Sequence, residues 1–131
     1  MDNKFKPSGY NSVSPYLVVK GAQKMIDLLT KMFNAKELRR YDTPDGTILH
    51  VEVQIDDSVI MIGDSSEQFP PNTHLIHVYV PNVDETFDKA IELGCISIES
   101  PREREGDPDR RGTFKDFSGN IWSVATQMQQ N

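Results

Sequence analysis

Residues 111–126 read RGTFKDFSGNIWSVAT, and this stretch near the C-terminus predicts a β-hairpin. Residues 113–117 form its first strand, and residues 121–126, rich in β-branched and aromatic side chains, form the returning strand. Residues 118–120 supply the turn, because glycine and asparagine tolerate a positive φ angle. The hairpin closes the second of two similar halves of the chain.

An internal repeat organises the rest of the chain. Residues 13–64 and 73–127 each show the order β-α-β-β-β, and residues 1–12 read as a polar N-terminal arm. The strand YLVV at 16–19 matches HVYV at 77–80 in the second half. Duplication of a whole supersecondary unit is a strong architectural signal, because one unit alone cannot cover its hydrophobic surface. We therefore expect one compact α+β domain built from two modules.

Hydrophobic periodicity places the elements of both halves. The first half has predicted strands at 13–20, 37–41, 48–55 and 58–62 and a helix at 22–34. The second has strands at 74–80 and 95–99, a helix at 84–93, a charged loop at 100–109 and the hairpin. Asp84 is the expected N-cap of the second helix. Alternation along 48–55 places Leu49, with Val51, on the helix-covered face, opposite His50 and Glu52.

Composition and charge restrict the function classes. The 131 residues carry a formal net charge of −6, which argues against a nucleic-acid partner because such proteins concentrate Lys and Arg. No apolar run approaches the ~20 residues of a membrane span, and the first residues lack the apolar core of a secretory signal. We therefore expect a cytoplasmic protein with no membrane partner. The single Cys95 excludes an internal disulfide and a zinc-type cysteine pair.

A set of short motifs, taken in order, carries a family resemblance. They are SPYLVVKGA (14–22), FNA (33–35), PDG (44–46), HVE (50–52), HVYV (77–80), VD (83–84), DRRGT (109–113) and DFSGNIW (116–122). The chain resembles the glyoxalase/bleomycin-resistance/extradiol-dioxygenase group, or vicinal oxygen chelate superfamily, and within it the PhnB-like branch. The resemblance implies two βαβββ modules that form a curved mixed sheet around a cleft, with the helices outside. It also implies a homodimer in which modules of two chains complete each cleft.

The resemblance implies four positions for metal ligands, one on each of four inner strands. In this chain they fall on or next to Ser14, Met61, Leu75 and Ser123. A divalent cation needs several His or carboxylate donors that converge, and these four residues do not supply them. We therefore expect a metal-free cleft with no cofactor. A relocated metal site made of His50, Glu52 and His77 remains an alternative.

The predicted ligand-binding residues are polar and aromatic side chains of the inner strand faces. They are Tyr16, His50, Glu52, His77, Tyr79, Arg110 and Arg111. His50 and Glu52 lie two residues apart on one face and could act as a general base and its orienting partner. The plain alternative is that this face is open to solvent.

Further interpretations concern the second half. For His77 and Tyr79, a half-buried histidine beside an anchored tyrosine is as reasonable as a ligand contact. An arginine from Arg110 or Arg111 could clamp a carboxylate or phosphate, and the alternative is an exposed arginine paired with Asp107 or Asp109. Of the hairpin aromatics, we expect Trp122 and Phe117 in the core and Phe114 at the cleft wall.

Three functions are compatible with these residues. The first is a protein that binds a small organic molecule, or an enzyme of unknown substrate, with a metal-free cleft of the glyoxalase/bleomycin-resistance type. The second is a metal-dependent lyase or isomerase with a relocated metal site. The third is an antibiotic-sequestering resistance protein, although aromatic residues make up only 8% of the chain. No catalytic residue is assigned, and the substrate stays open.

Overall fold

The order β-α-β-β-β occurs twice in the computed structural model, which describes residues 5–128. The first set of elements is β1 (Tyr16–Val19), α1 (Ala22–Phe33), β2 (Lys36–Asp42), β3 (Ile48–Ile55) and β4 (Ser58–Asp64). The second set is β5 (Leu75–Tyr79), α2 (Val83–Glu92), β6 (Ile96–Glu103), β7 (Asp109–Lys115) and β8 (Ile121–Gln127). The predicted α+β class and the two βαβββ modules are confirmed.

The chain divides into two compact units, called here the first unit (up to Asn72) and the second unit (from Thr73). Each has its own four-stranded mixed sheet, in the order β1-β4-β3-β2 and β5-β8-β7-β6 respectively. The pairs β1–β4 and β5–β8 are parallel, and the other pairs are antiparallel. Each helix packs on the sheet of its own unit. Neither described helix has the length and apolar character needed to cross a membrane.

Helix α1 covers one face of the first sheet with an apolar stripe that includes Met25 and Leu29. It ends at Asn34, whose φ of 57° is the left-handed conformation that commonly terminates helices. Gly21 precedes the helix and has no side chain with which to cap it. The Asp64 carboxylate accepts hydrogen bonds from the backbone N–H groups of Ala22 and Ile48, both at 2.8 Å. Asp64 therefore satisfies one of the free N–H groups of α1 and ties the helix to β3.

A register shift in β3 overturns the predicted position of Leu49. Tyr41 of β2 lies opposite His50, but the next residue, Asp42, lies opposite Ile48, so Leu49 is the extra residue of a β-bulge. The bulge turns Ile48 into the core, where it is 2% exposed, and leaves Leu49 64% exposed. Simple alternation placed Leu49 under the helix, and it was wrong at this residue because a bulge changes the side-chain parity.

The hairpin register corrects two expectations about aromatic residues. Phe114 of β7 lies directly opposite Trp122 of β8, so both side chains point to the same face. Phe114 is fully buried and its ring centroid lies 6.1 Å from that of Phe87 on α2, so it packs under the helix. Trp122 is in the core as predicted, but Phe117 is 39% exposed in the turn.

The second unit differs from the prediction around α2 and β6. The N-cap of α2 is Asn82, whose side chain accepts a hydrogen bond from the Glu85 N–H, so Asp84 lies inside the first turn. Strand β6 continues to Glu103 through residues predicted as a charged loop. It is the edge strand of its sheet, where charged residues and a proline such as Pro101 are tolerated. The charged residues and the proline are typical of a loop, so the sequence did not predict the second half of β6.

Candidate functional site

Four side chains of the first unit form a continuous hydrogen-bonded chain. Tyr16 Oη lies 2.9 Å from His50 Nδ1, and His50 Nε2 lies 2.9 Å from Glu52 Oε2. The other carboxylate oxygen of Glu52, Oε1, accepts a hydrogen bond from the Tyr10 hydroxyl at 2.5 Å. Strands β1 and β3 thus bring together Tyr16, His50 and Glu52, three of the predicted ligand-binding residues.

The partners of His50 define its tautomer. The ionised carboxylate of Glu52 can only accept a hydrogen bond, so His50 Nε2 carries the proton in that bond. In the neutral ring Nδ1 is then an acceptor, and it receives the hydroxyl proton of Tyr16. The chain consequently has one direction, from the Tyr16 hydroxyl through the imidazole to the carboxylate.

Glu52 is 5% exposed, yet it is held as a carboxylate. Burial alone would raise its pKa, but the hydrogen bonds from Tyr10 and His50, aided by the charge of Arg39, outweigh burial. The pKa of Glu52 consequently lies below its ordinary value. The pKa of Tyr16 is raised, first by burial and then by the negative charge of Glu52. Tyr16 is therefore a neutral hydrogen-bond donor at neutral pH.

A cavity of about 530 Å³ lies beside this chain, and both Tyr16 and His50 line it. Its apolar wall includes Val18, Leu49 and Phe69, and its size is that of a small organic ligand. Its lining, as far as the structure describes it, contains no Lys or Arg. The cavity therefore suits a mostly apolar, neutral molecule.

Gly63 makes room for the Tyr16 hydroxyl at this wall. A Cβ atom at residue 63 would lie 2.9 Å from the Leu49 carbonyl oxygen and 3.2 Å from Tyr16 Oη. The backbone oxygen cannot move away without shifting the bulge in β3. Glycine at this position thus allows β4, the bulge and the tyrosine to meet.

The remaining predicted residues lie in the second unit, where they form a separate cluster. Tyr79 donates its hydroxyl to Asp109 Oδ2 at 2.7 Å, and Arg111 Nη2 donates to the same oxygen at 3.2 Å. Arg111 also donates to Asp107. The His77 ring packs edge-on against Tyr79, with centroids 4.7 Å apart. The pKa of His77 is lowered by burial and by the charge of Arg111, so the ring is neutral at neutral pH.

Both arginines of β7 are engaged with carboxylates. Arg110 makes a two-point ion pair with Asp84 of α2, at 2.8 and 2.9 Å, and this pairing lowers the pKa of Asp84. Arg111 is paired with Asp107 and Asp109, as the alternative interpretation of the sequence had it. Both guanidinium groups of this cluster are therefore already paired with carboxylates of the chain and are not free to bind an anionic ligand.

The matching family model is described as the Glyoxalase/Bleomycin resistance protein/Dioxygenase superfamily, and it covers residues 10–124. The chain belongs to this superfamily. An uncharacterized protein of Mycobacterium bovis is 29% identical over 130 residues, which is 91% of this chain and 85% of that protein. The resemblance found in the sequence is thus confirmed.

Solved structures of the superfamily share the fold. The fosfomycin resistance protein FosX of Listeria monocytogenes has a TM-score of 0.68 and 20% identity, covering 88% of this chain and 92% of that chain. The PhnB protein of Bacillus cereus has a TM-score of 0.65 and 13% identity, covering 88% of this chain and 99% of that chain. The predicted likeness to the PhnB-like branch is therefore confirmed at the level of fold.

The metal ion that the superfamily implies does not fit the donors present. Among residues 5–128, no three or more His, Cys, Asp or Glu side chains are grouped so that they could hold a metal ion. At the first expected position, two residues before β1, Ser14 has a buried Oγ without a hydrogen-bond partner in the described part of the chain. Ser123 Oγ is bonded to His77 Nδ1 at 3.2 Å. In the relocated alternative, both oxygens of Glu52 and both ring nitrogens of His50 already have partners.

Sequence reasoning missed several residues of these clusters. Tyr10 belongs to the predicted polar arm, yet its hydroxyl donates to Glu52, and its neighbour Asn11 accepts a hydrogen bond from the Val59 N–H of β4. Residues 1–4 of that arm lie outside the described residues. Asp109 is the last residue of the predicted charged loop, but in the structure it opens β7 and is 4% exposed. Residues two apart on a strand point to the same face, so Asp109 shares a face with Arg111. That spacing is the signal in the sequence that predicts Asp109 as a member of this cluster.

Cys95 is not a candidate nucleophile. It is buried, and burial followed by the nearby charge of Asp116 raises the pKa of its thiol to about 11. The thiol therefore stays protonated at neutral pH and lacks the reactivity of a thiolate.

Proposed function

We propose that this protein binds a small, neutral, mostly apolar organic molecule in the cavity of the first unit, without a metal ion. The observation that carries the proposal is the chain of Tyr16, His50 and Glu52 at the wall of that cavity. A polar chain that is buried at its Glu52 end and opens onto an apolar cavity supplies a few oriented hydrogen-bonding groups in a hydrophobic setting, which is the usual composition of ligand sites.

The alternatives drawn from the sequence rest on less. A metal-dependent lyase or isomerase needs a group of donor side chains that the described residues do not assemble. Sequestration of an antibiotic stays a prediction, since the likeness to FosX is one of fold. His77, Tyr79, Arg110 and Arg111 stay predicted ligand contacts, and the assignment of both modules to one compact domain stays a prediction as well.

The proposal is tested with Leu49→Arg, which places a cation in the cavity wall. Leu49 is 64% exposed, so the substitution should not affect folding. A panel of neutral aromatic fragments is screened by ligand-observed NMR against the full chain. We expect Leu49→Arg to weaken binding of the hits at least about tenfold, or ~1.4 kcal/mol.

The matched control is Leu38→Arg, on the neighbouring strand β2. Leu38 is also exposed, at 37%, but it does not line the cavity. This variant should bind the fragments as the wild type does. A screen without hits, or hits that bind Leu49→Arg as well as the wild type, would contradict the proposal.

We also infer a homodimer and a cytoplasmic location. The homodimer rests on membership of the superfamily and on large apolar side chains exposed on the edge strands β5 and β6, such as Leu75 and Ile96, which are 74% and 66% exposed. Strands β5 and β6 are opposite edges of that sheet, so each edge exposes a large apolar side chain for a partner to cover. Size-exclusion chromatography with light scattering should give twice the chain mass of 14.9 kDa. A monomer at micromolar concentration would contradict the homodimer.

A further inference from the structure

We propose that Tyr16, His50 and Glu52 form a proton relay that takes a proton from a weakly acidic O–H group of the ligand, such as that of a phenol. The inference rests on the proposed function and adds the class of ligand and the role of each residue. Tyr16 contacts the ligand, His50 receives the proton, and Glu52 is the positioning residue.

The geometry sets the three groups in a line from the cavity to the interior. Tyr16 Oη and His50 Nδ1 are 2.9 Å apart, as are His50 Nε2 and Glu52 Oε2. Tyr16 and His50 line the cavity, whereas Glu52 lies behind them and is 5% exposed. Hydrogen bonds of this length allow a proton to pass from one heavy atom to the next.

The proton transfer balances without any other reactant. The O–H bond of the ligand breaks, and its proton passes to Tyr16 Oη while the oxygen of the ligand keeps the electron pair. The phenolic proton of Tyr16 passes to His50 Nδ1, where a new N–H bond forms. The imidazolium that results donates its Nε2–H to the Glu52 carboxylate. Tyr16 ends with the same charge as it began, so the relay does not require a tyrosinate.

The charged and titratable groups around the relay favour this end state. Glu52 is held ionised by Tyr10 from the arm and by Arg39 of β2, whose Nε lies 3.7 Å away. From β2, the Tyr41 ring also packs 6.1 Å from His50, and from β4 Asp64 reaches the cavity wall. Both oxygens of Asp64 accept backbone N–H groups, from Ala22 and Ile48, so its hydrogen bonds lie outside the relay. A buried carboxylate beside a histidine stabilises the imidazolium.

The lining of the cavity points to the ligand class. A ligand that enters as an anion would find no Lys or Arg among the described lining residues. A neutral phenol or enol enters without a charge that would need a Lys or Arg partner. Its oxyanion then forms beside the imidazolium. The O–H group can donate to the free lone pair of Tyr16 Oη, while the hydrocarbon part packs on Leu49 and Phe69.

The test uses para-nitrophenol as the probe, because its phenol and phenolate forms absorb differently. The full chain is titrated at a pH just below the pKa of the free probe, and binding is followed independently by ligand-observed NMR. We expect the phenolate-to-phenol ratio of the bound probe to exceed that of the free probe about tenfold. In His50→Gln the probe should still bind, but the ratio should fall to the free value or below it, because an amide cannot accept the proton and the apolar cavity favours the neutral phenol.

Two further variants separate the relay from general effects of the cavity. Tyr16→Phe should lose the raised ratio, and Leu38→Ala, on β2 outside the cavity lining, should keep it. Bound probe with the ratio of free probe, or a raised ratio that persists in His50→Gln or Tyr16→Phe, would overturn the relay and leave cavity binding intact. Failure of para-nitrophenol to bind the wild type would overturn the ligand class, while the fragment screen decides the proposed function separately.

Discussion

Replacing Asp116 by alanine is expected to lower the free energy of unfolding by about 3–5 kcal/mol. Asp116 is 3% exposed at the base of the hairpin turn. Its carboxylate accepts hydrogen bonds from the Ser118 and Asn120 N–H groups, from Asn120 Nδ2 and from the indole Nε1 of Trp122. Each buried donor left without an acceptor costs about 1–3 kcal/mol, and Trp122 and Asn120 are fully buried.

Urea denaturation followed by tryptophan fluorescence measures this effect directly, because Trp122 is the single tryptophan of the chain. The matched control is Asp88→Ala, an exposed aspartate of α2, which should change stability by less than about 0.5 kcal/mol. If Asp116→Ala lost no more stability than the control, the carboxylate would not be what holds the hairpin together.

Replacing Glu52 by alanine is the second large effect, an expected loss of about 2–4 kcal/mol. The substitution leaves His50 Nε2–H and the Tyr10 hydroxyl without their acceptor and opens a void opposite Met61. Thermal unfolding followed by far-UV circular dichroism is the suitable measurement, because the single tryptophan lies in the other unit. Glu67→Ala, an exposed glutamate in the loop after β4, is the control and should be near neutral.

The same carboxylate predicts a pH dependence of defined sign. The pKa of Glu52 in the folded protein lies below the ordinary value of 4.5, so its ionised form stabilises the fold above that pH. This contribution is lost as the pH falls from 4.5 through the lowered pKa. The stability gap between the wild type and Glu52→Gln should therefore be largest at neutral pH and shrink in acid. A gap that widened with acidification would contradict the pairing of Glu52.

Local signals in the sequence were sufficient to predict the architecture. The repeat of YLVV and HVYV, the helical spacing in α1 and the glycine and asparagine residues in turns are short-range features, and each maps onto an observed element. Asn34 illustrates the agreement, since the helix predicted to end at this residue has it as its C-cap, with a positive φ. Strand β6 was cut short because its charged residues and Pro101 are typical of loops, and pairing with β7 overrides that preference.

Side-chain direction was harder to predict, because it depends on register. A single extra residue at Leu49 reverses the parity of β3, and the position of the bulge is set by pairing with β2 rather than by the local sequence. In the hairpin, the prediction for Phe114 is wrong because the face of this residue depends on the strand register. Phe114 lies directly across from Trp122, and the residue at which the turn begins sets that register. That point is fixed by the hydrogen bonds of Asp116, which link residues four and six positions apart.

The sequence was sufficient to predict which residues of the first unit belong to the candidate site, but not the hydrogen bonds that join them. Tyr16, His50 and Glu52 stood out as polar side chains on strands with apolar neighbours. Their order in one hydrogen-bonded chain requires the parallel pairing of β1 with β4, which places Tyr16 opposite Met61, and Met61 in turn lies opposite Glu52 of β3. Tyr10 reaches Glu52 across 42 residues of sequence, and no local pattern encodes such a contact.

Binding of neutral fragments before and after removal of metal ions tests the central claim most directly. The full chain is dialysed against a chelator, its metal content is measured, and the dissociation constants of the hits are compared with and without added manganese, nickel or zinc. The account predicts constants that agree within about twofold, or ~0.4 kcal/mol, in all these states. Binding that disappears with the chelator and returns with one of the ions would contradict it.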